Sequence, residues 1–263
     1  MLKFELIVIG IRCSELLKGL NVKSFKYIGI GLAIVLSLGL SGCGESSDSN
    51  SSSYVTHNGT IYGTVTSPYT GKIWLDRNLG ASQVCTALDD IACYGDYYQW
   101  GRNTDEHEKE TSISTSIQAT DISNAGTNFI TEPTGTYSRD WAKAADDNGS
   151  LRTTKWSETD GSSVCPVGFR VPITTELSAE TLGNTANDAF TNNINAFNNF
   201  LKLPSAGFRS YSNGSVFSQA SEGFVWVNDV SGSTSYRLYF GNSSANMNIH
   251  FRAYGWSVRC IKD

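Results

Sequence analysis

Charged side chains are scarce in this chain, at 17% of its 263 residues, where about 25% is usual for a soluble domain. Acidic residues outnumber basic ones, 25 to 20, and no stretch forms a basic stripe. Because a surface that binds nucleic acid needs such a stripe to neutralise phosphates, nucleic acid is excluded as a partner. Proline is also scarce, with five residues against 25 glycines, which argues against collagen-like or disordered material.

Common signatures of catalysis and of zinc binding are missing too. The sequence has no CxxC pair, no HxH or HxxxH pair and no G-x-S-x-G elbow, so it predicts neither a zinc site nor a typical serine hydrolase. His57, His107 and His250 are far apart and are interpreted as surface residues. Glu106 and Glu108 flank His107, and we interpret this cluster as solvated charges in a polar loop. We therefore expect no catalytic residue and no cofactor.

One apolar segment lies near the amino terminus. It reads FKYIGIGLAIVLSLGLSG over residues 25–42, follows Lys23 and directly precedes Cys43. A basic start, about a dozen apolar residues and a small-residue cleavage site are typical of a secretory signal, and the sequence LSGC at 40–43 resembles the bacterial lipobox. A membrane-spanning helix, the alternative, needs about 20 apolar residues. We predict cleavage before Cys43 and lipidation of Cys43, which anchors the chain to a membrane.

These signals divide the chain into three parts. Residues 1–42 are a signal peptide, in which 1–21 form an unusual prefix that we interpret as a misplaced start, with translation beginning near Val22. Residues 43–53 are a lipidated, serine-rich tether with too few apolar side chains to fold. Residues 54–263 are the globular domain. Gly44, rather than aspartate, follows the lipidated cysteine, which favours the outer membrane and display at the cell surface.

Four of the six cysteines belong to the domain: Cys85, Cys93, Cys165 and Cys260. An even number in an exported protein predicts two disulfides. Four cysteines allow three connectivities, of which we favour Cys85–Cys93 and Cys165–Cys260. The first closes a local loop, and the second joins the middle of the chain to its last strand.

Short strands alternate with turns along the domain, with two helices in the middle. Strands are predicted over residues 60–66, 71–76, 97–100, 223–228, 235–240 and 256–262. Alternation puts Tyr236, Leu238 and Phe240 on one face of a strand, and Trp256, Val258 and Cys260 on one face of the last.

Helix signals run from Thr174 to Leu182, and an apolar stripe with a spacing of three and four residues from Phe190 to Leu201 predicts a second helix packed on the core. The sequence SNGS at 212–215 predicts a hairpin, and the polar residues 103–163 are interpreted as a long surface insertion. Strands, helices and strands in this order predict the α+β class.

Three motifs resemble the Fibrobacter succinogenes major paralogous domain. They are YGDYYQWGR at 94–102, CPVGFRVP at 165–172 and RAYGWSVRC at 252–260, and the resemblance covers most of residues 54–263. It implies a C-type lectin-like fold with short antiparallel strands, two central helices and long loops, related to formylglycine-generating enzymes. It also supports the pairing of Cys165 with Cys260. The chain departs from the family at Ile173, where the usual threonine would form a capping box with Glu176.

The relatives of this fold suggest two further activities. Formylglycine-generating enzymes use reactive cysteines in the C-terminal part of the domain, where this chain has only Cys260, so a thiol-dependent oxidase is a disfavoured alternative. C-type lectins bind calcium and sugar through Glu-Pro-Asn and Trp-Asn-Asp. The nearest sequences here, EPT at 132–134 and WVND at 226–229, deviate and lie more than 90 residues apart. A structural calcium ion around Asp89, Asp90 and Asp96 stays as a further alternative.

The C-terminal third favours a binding function. Residues 205–256 contain 26 Ser, Gly, Asn or Tyr among 52, a composition that resembles antibody binding surfaces, although a generic secreted β domain would share it. The resemblance implies a scaffold for ligand display, diversified near its C-terminus. Our candidate ligand-binding residues are Tyr211, Asn242, Asn246, Asn248, His250 and Phe251. We expect a non-catalytic module for an extracellular glycan or protein, with a structural envelope protein as another alternative.

Overall fold

The computed structural model describes residues 53–143, 146, 148–183 and 189–263. The predicted signal peptide 1–42, the lipidation site Cys43 and residues 44–52 of the tether lie outside these ranges. Within the described ranges, no helix has the length and apolar character needed to cross a bilayer.

Short, mostly antiparallel strands and three helices make up the described part of the chain. The strands are β1 (Val55–His57), β2 (Thr60–Tyr62), β3 (Thr64–Thr66), β4 (Ile73–Leu75), β5 (Tyr98–Gln99), β6 (Ser114–Thr115), β7 (Phe129–Ile130), β8 (Phe169–Arg170), β9 (Phe208–Arg209), β10 (Val216–Phe217), β11 (Gly223–Ser231), β12 (Thr234–Phe240), β13 (Ala245–Phe251), β14 (Gly255–Trp256) and β15 (Ile261–Lys262). The helices are α1 (Ser150–Ser157), α2 (Thr174–Thr181) and α3 (Asn193–Asn198). This content confirms the α+β class.

The longest strands form one antiparallel sheet in the order β11-β12-β13. As the alternation predicts, Leu238 and Phe240 of β12 point into an apolar cluster that also contains Val225 of β11. The opposite face of β12 therefore carries Arg237 and Tyr239. β13 pairs with β12 alone among the described strands, so it is the outer strand of this sheet.

Two four-stranded sheets have the orders β3-β4-β15-β8 and β10-β9-β14-β5, and the remaining described strands form two pairs, β1-β2 and β6-β7. The single strand predicted over residues 256–262 is divided between the two four-stranded sheets, as β14 and β15. Between these two strands, the Val258 carbonyl accepts the Leu79 amide and the Cys260 carbonyl accepts the Leu75 amide, both at 3.0 Å. The segment thus crosses from one sheet to the other while its backbone stays hydrogen-bonded.

Residues 103–163 are not a surface insertion, so that interpretation is wrong. Phe129, Trp141 and Trp156 of this stretch are fully buried. Arg152 of α1 is buried as well and donates to both oxygens of Asp140 at 2.8 Å. The stretch looked polar because its apolar residues are isolated in sequence and its charges pair with one another inside the fold.

The helices agree with the sequence in part. The prediction of a helix over 174–182 is confirmed by α2. The predicted Phe190–Leu201 helix is shorter in the structure and corresponds to α3. The Asn192 side chain caps the N-terminus of α3 by accepting the Asn195 amide at 2.9 Å. Phe190 and Leu201 are buried, but Ile194 is 54% exposed, so the stripe is only partly core.

A carboxylate from β11 replaces the missing cap of α2. Ile173 stands at the N-cap and has no side-chain acceptor, but Asp229 accepts the hydrogen bond of the Thr174 amide. Glu176 accepts the Ile173 amide at 3.0 Å, so half of the capping box survives. The helix start is therefore tied to the sheet that carries β13.

Two disulfides and a tryptophan-rich core hold these elements together. The pairs are Cys85–Cys93, eight residues apart, and Cys165–Cys260, 95 residues apart, the two favoured from the sequence. All six tryptophans of the chain are buried, and Trp226 donates its indole N–H to the Tyr98 carbonyl at 2.8 Å. A buried indole usually finds such an acceptor.

Candidate functional site

Three candidate ligand-binding residues lie on one face of the outer strand. Asn246, Asn248 and His250 alternate along β13 and stand opposite Tyr239, Arg237 and Ser235 of β12. Residues two apart in a strand point to the same side, so the three side chains form one row. Asn248 is exposed, and Asn246 and His250 are half-buried.

Aromatic rings surround the His250 end of this row. The His250 ring lies 4.7 Å from Tyr254 and 4.8 Å from Phe251, measured between ring centroids. Tyr211 reaches the same place from the loop after β9, with its ring 4.8 Å from Tyr254. Trp256 stacks beneath Tyr254 at 5.0 Å. The fold thus brings Tyr211, His250 and Phe251 together, although Tyr211 is distant in sequence.

Two arginines flank these rings. The Arg237 guanidinium carbon lies 5.6 Å from the centre of the Trp256 ring, and that of Arg139 lies 4.7 Å from Phe251 and 5.7 Å from Tyr211. We call the combined surface the β13 patch; it consists of Arg139, Tyr211, Arg237, Asn246, Asn248, His250, Phe251 and Tyr254.

His250 is a neutral hydrogen-bond donor within this patch. Its Nδ1 accepts the Phe251 amide at 2.9 Å, so the proton of the neutral ring sits on Nε2. Burial, with added repulsion from Arg237 and Arg139, lowers the pKa of His250 to about 4. The ring therefore carries no charge at neutral pH.

Asn242 lies apart from the other candidates. It follows β12 in the turn to β13, and its Oδ1 accepts a hydrogen bond from the Asn193 side chain of α3 at 3.1 Å. Within the ranges that the structure describes, no hydrogen bond joins it to the aromatic rings of the β13 patch. The hydrogen bond from Asn193 supports the turn between β12 and β13, which accounts for the position of Asn242.

Sequence reasoning missed Arg237, Arg139 and Tyr254. For Arg237 a signal existed, because placing Tyr236 and Leu238 on the core face puts Arg237 on the face of the β13 row. Arg139 had no such signal. It sits in a loop with a left-handed backbone, φ 53°, and reaches the patch only through the tertiary fold.

His107 and Glu108 are completely buried, which corrects their interpretation as solvated surface charges. Their loop covers the edge of β5: His107 Nε2 accepts the Gln99 amide at 3.0 Å and the Glu108 carbonyl accepts the Tyr97 amide at 2.8 Å. Buried backbone donors need such partners. Burial lowers the pKa of His107 to about 4 and raises that of Glu108.

The same loop gathers the one set of metal-type ligand atoms found in the described ranges. Atoms of Asp105, His107 and Glu108 lie within 4.8 Å of one another. However, Nε2 of His107 already accepts the Gln99 amide, so Nδ1 carries the proton and donates to Asp105 Oδ1 at 2.6 Å. A metal at Nδ1 would require an imidazolate anion, and Arg102 also donates to Asp105 at 2.8 Å. The set is a hydrogen-bonded support for β5.

The calcium alternatives find no common site in the part of the chain that the structure describes. Asp90 accepts hydrogen bonds from Gln83 and Thr86, and Asp96 pairs with Lys109 at 2.8 Å. Among the described residues, no group of three metal-type ligands includes Asp89, Asp90 or Asp96.

The lectin-like motifs are also used for structure. Glu132 is buried and accepts the Arg139 amide at 3.0 Å, which fixes the loop that carries Arg139. Asn228 donates to the Thr153 carbonyl at 2.9 Å, and Asp229 caps α2. The carboxylates of Glu132 and Asp229 therefore serve separate local contacts, and Asn228 is engaged through its amide nitrogen.

Two pockets of the described structure lie away from the β13 row. One, of about 500 Å³, opens between the loop around Tyr137 and the turn at Gly232 and Ser233. The other, of about 670 Å³, lies between residues 101–105, residues 120–123 and α1. Neither is lined by a candidate residue. The β13 patch is an open surface, which suits a polymeric ligand better than a small molecule enclosed in a cleft.

Comparison with known proteins adds no relative to this description. No family model, no curated protein and no solved structure matches the chain.

Proposed function

We propose that the chain is an exported lipoprotein whose domain binds an extracellular ligand, a glycan or a protein, through the β13 patch. In this proposal the signal peptide is cleaved before Cys43, and the lipid on Cys43 anchors the protein in the outer membrane at the cell surface. The domain has the C-type lectin-like fold of the Fibrobacter succinogenes major paralogous domain, and it is not an enzyme.

One observation carries the binding proposal. Asn246, Asn248 and His250 stand in a row on an outer strand, beside the half-buried rings of Tyr211 and Tyr254. Aromatic rings supply contact area at low entropy cost, and amides supply adaptable hydrogen bonds. A strand that only completed the core would need neither on its solvent side.

The competing oxidase needs a reactive thiol. All four cysteines of the described ranges are in disulfides, which favours the binding module. A thiol assay on the unfolded, unreduced protein separates the two functions: we expect no free thiol in the domain, and one reactive thiol per chain would support the oxidase.

The binding proposal is tested by exposing the purified full chain to glycan and protein arrays. A triple variant, N248A/H250A/F251A, should fold normally and lose the ligand that the unmodified chain captures. Ile249→Ala is the matched control, because Ile249 lies between these residues on the opposite side of β13 and is 40% exposed. Equal capture by the triple variant and the control would rule the patch out.

A further inference from the structure

The free polar groups of the β13 patch are almost all hydrogen-bond donors. Asn248 Oδ1 accepts the Ile249 amide at 2.8 Å and His250 Nδ1 accepts the Phe251 amide at 2.9 Å. These contacts engage both acceptors, whereas Asn248 Nδ2 and His250 Nε2–H have no partner within the described ranges and remain available as donors. A surface with surplus donors is complementary to a ligand with surplus acceptors.

Arg237 strengthens this bias. Its side chain is only 9% exposed, and no carboxylate of the described ranges forms an ion pair with it. Its Nε has no hydrogen-bond partner, and the one hydrogen bond of its side chain within the described ranges is a long one, of 3.4 Å, to Asn246 Oδ1. A buried donor without an acceptor costs free energy, so the fold itself leaves this guanidinium incompletely satisfied.

The other buried arginines show that this lack of partners is specific to the patch. Arg102 and Arg152 each lie 2.8 Å from an aspartate oxygen. Arg209 and Arg259 each donate to a backbone carbonyl at 2.7 Å. Arg252 donates to the Gly232 carbonyl at 2.6 Å. Like several of these arginines, Arg237 lies against aromatic rings, those of Phe224, Tyr239 and Trp256. It differs in having neither an aspartate nor a backbone carbonyl as a partner within the described ranges.

Arg139 provides a second unpartnered cation at the other end of the rings. Its Nε is buried without a hydrogen-bond partner, and no ion pair joins it to any carboxylate within the described part. Glu222 is the carboxylate that acts on Arg237, but it accepts the Tyr239 hydroxyl at 3.0 Å and makes no ion pair with the arginine. The patch is thus locally cationic on a chain of net charge −5.

We propose that the β13 patch recognises an acidic glycan, with Arg237 and Arg139 binding the carboxylates of its hexuronate residues. This inference rests on the proposed function and names its ligand class. The amides of Asn246 and Asn248 would then donate to ring and hydroxyl oxygens, and the rings of Tyr211 and Tyr254 would contact the apolar face of a sugar. An arginine fork matches a carboxylate with two parallel hydrogen bonds.

The strand edge favours a glycan over an extended acidic peptide. A peptide that adds to a sheet bonds to the free amides of the outer strand. In β13, the amides of Ile249 and Phe251 are already occupied by the side chains of Asn248 and His250. Strand addition would have to break both hydrogen bonds, whereas a glycan needs only the side-chain donors.

The test is a binding titration of the full chain with three soluble probes of similar length: an oligogalacturonate, a neutral galactose oligosaccharide and a polyglutamate peptide. The unmodified chain should bind the oligogalacturonate, and more weakly as salt is added. Arg237→Gln and Arg139→Gln should each weaken binding by about tenfold or more, since a charge-assisted hydrogen bond is about twice as strong as a neutral one. Lys262→Gln, an exposed charge at the end of β15, should have no effect.

The outcomes separate the inference from the proposed function. Equal binding of the neutral and the acidic oligosaccharide, or no binding of either, overturns the acidic glycan, while the array experiment with the triple variant still decides whether the patch binds. Binding of polyglutamate alone, lost in the arginine variants, also overturns it and identifies an acidic protein partner. Because Arg237 is buried and its variant could unfold, the half-exposed Arg139 provides a second reading, and near-ultraviolet circular dichroism checks both variants.

Discussion

Removal of the two disulfides one at a time should destabilise the domain unequally. The Cys165–Cys260 bond closes a segment of 95 residues, and the Cys85–Cys93 bond closes one of eight. In the chain-entropy relation, a bond restricts the unfolded chain more strongly when it closes a longer loop. The expected losses of unfolding free energy are about 4.7 kcal/mol for C165A/C260A and about 2.5 kcal/mol for C85A/C93A.

Urea unfolding, followed by the fluorescence of the six buried tryptophans, measures this difference. Each double variant keeps the other disulfide and serves as its matched control. Alanine is used in both because the replaced sulfurs are buried. A loss from C85A/C93A that equals or exceeds the loss from C165A/C260A would refute the reasoning.

Three further perturbations test individual contacts. Burial lowers the pKa of His107 in the folded chain to about 4, from 6.5, so the unfolded chain binds more protons between these pH values. The free energy of unfolding should therefore be at its full value above pH 6.5 and fall by about 3 kcal/mol toward pH 4. Urea titrations at several pH values measure this profile, and His107→Gln should flatten it. Gly207→Ala should cost about 1–3 kcal/mol in thermal unfolding, because φ is +69° and the new Cβ would lie 2.1 Å from the Phe217 carbonyl oxygen; an unchanged midpoint would contradict this. Asp229→Ala should remove the cap of Thr174 and cost about 1 kcal/mol by urea unfolding, with Asp229→Asn retaining most of it.

Local sequence patterns were enough to predict individual strands, turns and one helix. Alternation identified β12 and its core face, and the Asn213-Gly214 turn gave the β9–β10 hairpin, where Gly214 has φ 72°. The α2 helix and the eight-residue Cys85–Cys93 loop also follow local signals, whereas Cys165–Cys260 joins residues 95 apart and was favoured among three connectivities with support from the family resemblance. The local features depend on neighbours in sequence, so sequence alone defines them.

The remaining parts depend on distant partners. Trp141 is buried where its indole N–H donates to the Trp100 carbonyl at 2.8 Å. His107 is buried where its ring accepts the Gln99 amide. Neither contact has a periodic signature, so residues 103–163 looked like a polar insertion. For the site, the spacing of Asn246, Asn248 and His250 predicted a shared face, whereas the two arginines come from another strand and a distant loop.

The most direct measurement of ligand recognition by the β13 patch is nitrogen-15 NMR of the side-chain N–H groups in the full chain, titrated with the oligogalacturonate. Three buried N–H groups at the patch have no hydrogen-bond partner in the described ranges: Nε–H of Arg237, Nε–H of Arg139 and the indole N–H of Trp256. The Trp256 ring lies beside Arg237. The three N–H signals should shift together and saturate with the probe, while the indole N–H of Trp74, bonded to Glu180, stays in place. Shifts confined to Arg102 and Arg152, at the pocket beside α1, with Arg237 and Arg139 unchanged, would contradict the account.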